Sequence, residues 1–247
     1  MKKMKMMFMA IAVILVLSQM ACATAVFDFE SYTLGNLTGQ DSWTHTVASW
    51  LVVTTTSDGA YVGGQGIQPS GSTDRYAQRK AMVPTQGSEI ALQFDVFTAD
   101  VNYGVAQERV YSDALLKSGP YFGFQNGQFV IQKSNFGTKT WGTTLDDSYD
   151  NKWLRIEMIV NEAADTGYVY AWDLSAGGVA IDTGLSGGGA LALALCPVAN
   201  WDRIDIRNNH QAGQVARLFD NVMVTVPEPA TVLLLGLGGL GFLRKRT

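Results

Sequence analysis

Two neighbouring stretches of this chain alternate apolar and polar residues with a period of two. In Lys152-Trp153-Leu154-Arg155-Ile156-Glu157-Met158-Ile159-Val160, the residues Leu154, Ile156, Met158 and Val160 fall on one side, and Trp153, Arg155 and Glu157 on the other. From Gly167 to Leu174, Tyr168, Tyr170, Trp172 and Leu174 oppose Val169, Ala171 and Asp173. A period of two is the repeat of a strand with two unlike faces, and it is incompatible with a helix. The polar segment Asn161–Thr166 between them has hairpin length, so the pair predicts two antiparallel strands.

The same repeat recurs at Glu89–Thr98, where Leu92, Phe94 and Val96 alternate with Gln93, Asp95 and Phe97. Further strands are expected near 48–54, 74–82, 105–111, 120–124, 127–133 and 202–207. Asn126-Gly127 forms a two-residue turn between two of them. No segment of the middle of the chain sustains a 3.6-residue repeat. About a dozen strands at this spacing predict an all-β fold, an antiparallel β-sandwich of the jelly-roll kind. The opening Val26-Phe27-Asp28-Phe29-Glu30 and the closing Ala216–Thr225 also alternate and are expected to lie side by side in one sheet. Aromatic residues make up 11% of the chain, too many for a disordered polymer.

The two ends read differently. Lys2, Lys3 and Lys5 precede a ten-residue apolar run, Phe8–Leu17, and then the small residues of Ala21-Cys22-Ala23-Thr24-Ala25. This is the three-part layout of a secretory signal, so residues 1–25 are expected to be removed by signal peptidase, after Ala25 or alternatively after Ala23. Ten apolar residues are too few to cross a ~30 Å hydrocarbon layer. At the other end, Val226-Pro227-Glu228-Pro229 leads into an apolar run, Ala230–Leu243, closed by Arg244-Lys245-Arg246. The run suits a short, glycine-rich transmembrane helix, and the basic triplet would stay cytoplasmic.

These last residues resemble the PEP-CTERM sorting signal of Gram-negative bacteria that build extracellular polymeric matrix: Pro227-Glu228-Pro229, the apolar helix and Arg244-Lys245-Arg246 stand in order. The resemblance implies recognition by an exosortase, which would cut near Pro227–Pro229, and a transient membrane anchorage through residues 227–247. The domain of residues 26–226 would then reach the cell surface or extracellular matrix.

Residues 26–226 hold 12 of the 18 Lys/Arg and 21 of the 22 Asp/Glu, a net charge of −9. There is no basic footprint for nucleic acid. The acidity predicts anionic glycans to be poor partners unless a cation bridges them. Cys196 is the only cysteine beyond the signal and reads as a small buried hydrophobe. His45 and His210 have no nucleophile elbow near them and no zinc-ligand spacing, which points to surface histidines.

The opening Phe27-Asp28-Phe29-Glu30-Ser31-Tyr32, followed by Gly39-Gln40-Asp41-Ser42-Trp43, resembles the start of concanavalin-like (laminin-G-like) domains. Trp153-Leu154-Arg155-Ile156-Glu157 and Phe219-Asp220-Asn221-Val222 resemble later parts of the same domains. That likeness implies a jelly roll whose use is to bind or cut polysaccharide. Hydrolases of this kind carry Glu-x-Asp-x-x-Glu, and none of the five glutamates in residues 26–226 begins that pattern. Glu157 shares a side with Arg155, which predicts an ion pair between them. The expectation is therefore a structural or glycan-binding component rather than an enzyme. A polysaccharide hydrolase or lyase is the alternative. Candidate sugar-binding residues are Trp153, Glu157, Tyr168, Tyr170 and Trp172, since flat rings stack on sugar faces and cost little entropy to hold still. The Tyr168–Trp172 stripe would equally suit a core strand. Asp28, Glu30 and Asp220 are candidate ligands for a structural calcium clamping the first and last strands.

Overall fold

The computed structural model describes residues 22–45, 51–55, 64–69, 75–80, 89–102, 104–209 and 217–227. The expected signal core, His210 and the stretch carrying Glu228, Pro229, Arg244, Lys245 and Arg246 lie outside the described residues. Among the described residues no helix is long and apolar enough to cross a membrane.

Seventeen strands are described. The first six are β1 (Cys22–Phe27), β2 (Gly35–Asn36), β3 (Trp43–His45), β4 (Leu51–Thr55), β5 (Gln65–Pro69) and β6 (Arg75–Lys80). Five more follow: β7 (Glu89–Thr98), β8 (Val105–Ser112), β9 (Lys117–Gln125), β10 (Gln128–Gln132) and β11 (Lys139–Thr144). The last six are β12 (Lys152–Asn161), β13 (Thr166–Asp173), β14 (Val179–Ile181), β15 (Gly189–Ala190), β16 (Arg203–Asn209) and β17 (Leu218–Pro227).

They form two antiparallel sheets. The ten-stranded sheet runs β14-β13-β12-β7-β17-β5-β4-β2, with β1 on β17 and β15 on β13. The seven-stranded sheet runs β11-β10-β9-β8-β16-β6-β3. The two are packed as a jelly-roll sandwich.

Alternation sets which side chains fill the space between the sheets. Leu154, Ile156, Met158 and Val160 of β12 are fully buried and join Leu92, Phe94 and Val96 of β7 in the core. Across the gap, the Phe94 ring lies 5.5 Å from Phe122 of β9, and within its own sheet 5.3 Å from Phe219 of β17. Each such side chain removed from water contributes roughly 1.5–3 kcal/mol, which is why the repeat dictates the fold. Asn126 (φ 48°) and Gly127 (φ 78°) turn β9 into β10, with Gln125 opposite Gln128. Both central residues have positive φ, the geometry that follows strand twist and that Asn-Gly adopts cheaply.

The first and last strands pair as expected, Cys22 opposite Pro227 through Phe27 opposite Val222. β1 therefore begins four residues before the expected mature start at Val26, and β17 ends inside Pro227-Glu228-Pro229. On its other side β17 pairs with β7 only as far as Thr225 opposite Ala91.

Candidate functional site

The hairpin of β12 and β13 fixes the expected sugar-binding residues on the outer side of the ten-stranded sheet. Its register places Arg155 opposite Trp172, Glu157 opposite Tyr170 and Ile159 opposite Tyr168. On the other flank β7 sets Phe97 beside Trp153, Asp95 beside Arg155 and Gln93 beside Glu157. The Tyr168–Trp172 stripe thus faces outward, half-exposed, while Val169 and Ala171 turn into the core.

Tyr170 and Trp172 lie ring over ring, centroids 6.3 Å apart and planes within 28°. Tyr168 ends the stripe against Gly188. Gly188 has φ +90°, and a Cβ there would stand 2.9 Å from the tyrosine ring, so only glycine lets the loop come this close. Beside Trp172 a depression of about 320 Å³ opens between Gln93, Arg155, Trp172, Leu174 and Gly178. Gln93 is buried, and its amide nitrogen makes no hydrogen bond.

Trp153 departs from its expected role. It is on the predicted side of β12 but only 5% exposed, packed with Phe97 (centroids 5.6 Å), Leu174 and Leu218. Its backbone N–H donates to Ser175 Oγ (2.8 Å), tying it to the turn after β13 that brings Leu174 over it. Its ring presents no face to a ligand.

The expected Arg155–Glu157 ion pair is also replaced. Arg155 holds Asp95 with two parallel bonds, Nε to Oδ1 at 2.8 Å and Nη2 to Oδ2 at 2.9 Å. Residues directly opposite on adjacent strands have Cβ atoms ~4.5–5.5 Å apart, closer than two same-side residues of one strand, so Asp95 wins. Asn221, at φ 45° in a bulge of β17, adds its amide to Asp95 Oδ2 at 3.0 Å. Glu157 is left half-buried. Desolvation raises its pKa above the ordinary glutamate range, and the Arg155 charge offsets this in part.

The candidate calcium ligands Asp28, Glu30 and Asp220 each have local engagements. Glu30 Oε1 accepts the backbone N–H groups of Gly64 and Gln65, both at 2.8 Å, and Asp28 Oδ1 accepts from Glu30 N. Asp220 is buried, with Oδ1 accepting from Asn221 N at 2.7 Å. Among the described residues no three His, Cys, Asp or Glu side chains converge as a cation would need. Cys196 is buried, and its thiol is pushed up to about 11, first by burial and then by the charge of Asp202. Both effects disfavour the thiolate that cysteine chemistry needs.

Residues 225–246 match the PEP-CTERM protein-sorting motif, the mark of a chain exported and sorted through the membrane to the cell surface. No curated protein sequence matches the chain. The sandwich is similar in structure to lectin II from Ulex europaeus, at 12% identity over 82% of this chain and 97% of that one, with a TM-score of 0.50. It is similar too to the botulinum neurotoxin serotype C1 binding domain, at 12% identity over 88% of this chain and 52% of that one, TM-score 0.51. A third likeness is to a botulinum neurotoxin type C structure whose cell entry depends on interaction with two ganglioside molecules: 12% identity, 91% and 52% coverage, TM-score 0.52. The chain spans about half the length of those toxin structures, and at these identities the likeness is one of fold. The chain is thus a jelly-roll sandwich, similar in fold to these structures, that carries a PEP-CTERM sorting motif at residues 225–246.

Proposed function

We propose that this protein is a surface-sorted glycan-binding component of the extracellular matrix, and that it holds uncharged sugar rings on the outer side of its ten-stranded sheet. The carrying observation is the stacked, half-exposed Tyr170–Trp172 pair beside the pocket lined by Gln93 and Arg155. A sugar ring laid on Trp172 buries its apolar face, while hydroxyls meet the unsatisfied Gln93 amide and the half-buried Glu157. The N-terminal signal would direct the domain across the inner membrane, and signal peptidase would remove it. An exosortase would then recognise Pro227-Glu228-Pro229 with Arg244-Lys245-Arg246.

Binding is favoured over hydrolysis by the state of the neighbouring carboxylate. A retaining pair needs two carboxyl groups ~5–5.5 Å apart with one free to attack. Asp95, diagonal to Glu157, is fully buried, with both oxygens bonded to Arg155 and one also to Asn221.

An array of neutral oligosaccharides, followed by titration calorimetry on any hit, tests the reading. Trp172→Ala should weaken binding about tenfold or more, since one stacking ring is worth ~1–3 kcal/mol. Equal binding by the wild type and Trp172→Ala, or no neutral glycan bound at all, overturns it. For sorting, the intact mass of the surface form should lack everything beyond Pro229. Retention of Arg244–Arg246 overturns that part.

A further inference from the structure

The last strand leaves the sandwich at one particular end, and loops of both sheets are tied together there. Thr225 of β17 lies opposite Ala91 of β7, and Ala91 opposite Ile159 of β12. The β12–β13 turn, residues 162–165, closes the same edge. Asp165 links this turn to the stretch before β16: its backbone O accepts from Leu191 N at 3.0 Å, and its Oδ1 from Leu193 N at 2.8 Å. Leu191 O in turn accepts from Ser134 N at 2.7 Å, which joins the β10–β11 loop of the other sheet to this end.

Three of these loops converge on Lys117 and Ser118 at the start of β9. Asn135 N donates to Ser118 O at 2.6 Å, and the Cys196 thiol to Lys117 O at 3.6 Å. Leu116, Phe136 and Leu195 each stand next in the chain to one of these groups, and they are 77%, 60% and 44% exposed. Leu115, on the same turn as Leu116, is exposed as well. Single exposed apolar residues are ordinary, but several gathered on one hub mark a contact surface. The backbone adds to this. Leu116 (φ 52°) and Phe136 (φ 58°) are held left-handed, a conformation that costs large side chains energy and clusters where function requires it. Two carboxylates of these loops are engaged locally: Asp113 by Arg203 Nη1 at 2.8 Å, and Asp165 by the Leu193 N–H.

What faces this end follows from the chain itself. From Thr225 to Ala230, where the apolar run of the sorting motif begins, the chain spans at most about 18 Å. An anchored precursor therefore keeps this end of the sandwich nearest the bilayer. We propose that Leu115, Leu116, Phe136 and Leu195 dip into the outer face of the inner membrane while the chain is anchored, so that the precursor is docked on the lipid and not merely tethered to it. The inference rests on the reading of residues 230–243 as a membrane-spanning run. Leucine and phenylalanine gain by leaving water for the boundary of the acyl chains, and Lys117 and Lys133 in the same loops suit lipid phosphates. Docking would hold the residues between strand and span at the bilayer surface, within reach of a protease embedded there. The surface is independent of the Tyr170–Trp172 pair.

The test uses the full chain, with Cys22→Ser, in liposomes of phosphatidylcholine and phosphatidylglycerol. A polarity-sensitive dye is attached at Leu116→Cys or, as the control, at Val179→Cys. Val179 is also exposed (58%) but lies at the other end of the sandwich: it pairs with Asp173, which is opposite Leu154, itself opposite Val96 of β7. Lipids carrying a nitroxide on the acyl chain should quench the Leu116 dye about twofold more than the Val179 dye. Phe136→Ser combined with Leu195→Ser should remove most of that difference, with thermal melts checking that each variant folds. Equal quenching at the two positions in a chain that floats with the liposomes overturns the docking and leaves the anchor standing. So does a difference indifferent to Phe136→Ser and Leu195→Ser. A Leu116 dye shielded only at high protein-to-lipid ratio means that a second copy covers the tips, which also overturns the proposal. A chain that does not float with the liposomes overturns the anchor and the docking together.

Discussion

The outer sides of the two sheets solve the same problem in different ways. Each must place polar and aromatic groups on a strand whose other side is core. On the ten-stranded sheet one bidentate pair, Arg155–Asp95, is surrounded by rings and amides. On the seven-stranded sheet the charges are linked: Arg109 shares Asp205 with Arg203, and Arg203 also holds Asp113 and lies 4.0 Å over the Tyr111 ring. Arg203 Nε stands 3.1 Å from Asp205 Oδ1 without hydrogen-bond alignment, so that link is one of charge alone. An isolated pair keeps its neighbours available to a ligand. A linked network spends its charges on each other.

The sharpest way to break this comparison is to remove one charged partner from each sheet's arrangement. Asp205→Ala leaves Arg109 buried beside another arginine and should cost about 3–5 kcal/mol. Arg155→Met leaves Asp95 with the Asn221 amide and should cost less, about 1–3 kcal/mol. Urea unfolding measures both, and equal losses would mean that the seven-stranded network is no more than separate pairs.

Two tryptophans on one side of the ten-stranded sheet sharpen the contrast next. Trp153→Ala should lose about 3 kcal/mol of stability, because its ring fills a patch with Phe97, Leu174 and Leu218. Trp172→Ala should lose under about 1 kcal/mol, since its ring is half-exposed. Thermal melts that rank the two the other way would reverse the roles of packing and binding assigned to this sheet.

A gain in stability, not a loss, is expected on the inner side of β8. Glu108 is fully buried between Ile206 and Phe122 in register, both its oxygens unbonded, and burial raises its pKa well above the ordinary glutamate range. A folded-state value above the unfolded one means the group is tolerated while protonated. It costs stability increasingly as pH rises above the unfolded value of ~4.3. Glu108→Gln should therefore raise neutral-pH stability by about 1–2 kcal/mol, with the gain shrinking toward pH 4. A gain that persists unchanged at low pH would mean that ionisation is not the cause.

Much of the fold was legible because burial follows period two. β7, β12, β13 and the Asn126-Gly127 turn are where alternation and turn chemistry place them. β11 was missed because Lys139–Thr144 is an edge strand with no buried side chain in alternation, so it leaves no repeat. β2, β14 and β15 are too short to show one. At the site, alternation correctly assigned the side of Trp153 but could not reveal that Leu174 and Leu218 cover it. Asp28 and Glu30 read as cation ligands; that one oxygen of Asp28 accepts from Glu30 N and one of Glu30 from Gly64 N and Gln65 N, the latter some 35 residues away, is set by the fold and leaves no mark in the sequence. The seven-stranded network was invisible for a different reason: Arg109 and Asp205 are 96 residues apart, and only the sheet order makes them neighbours.

Once residues 1–25 are removed, the last strand is still held by β7 as far as Thr225, so the paired part of the molecule and the sorting motif share a residue. From there to Pro229 is at most about 14 Å of extended chain. A cut near Pro227–Pro229 would leave a leash of only a few residues, so the new carboxyl end would lie close to the rim of the ten-stranded sheet.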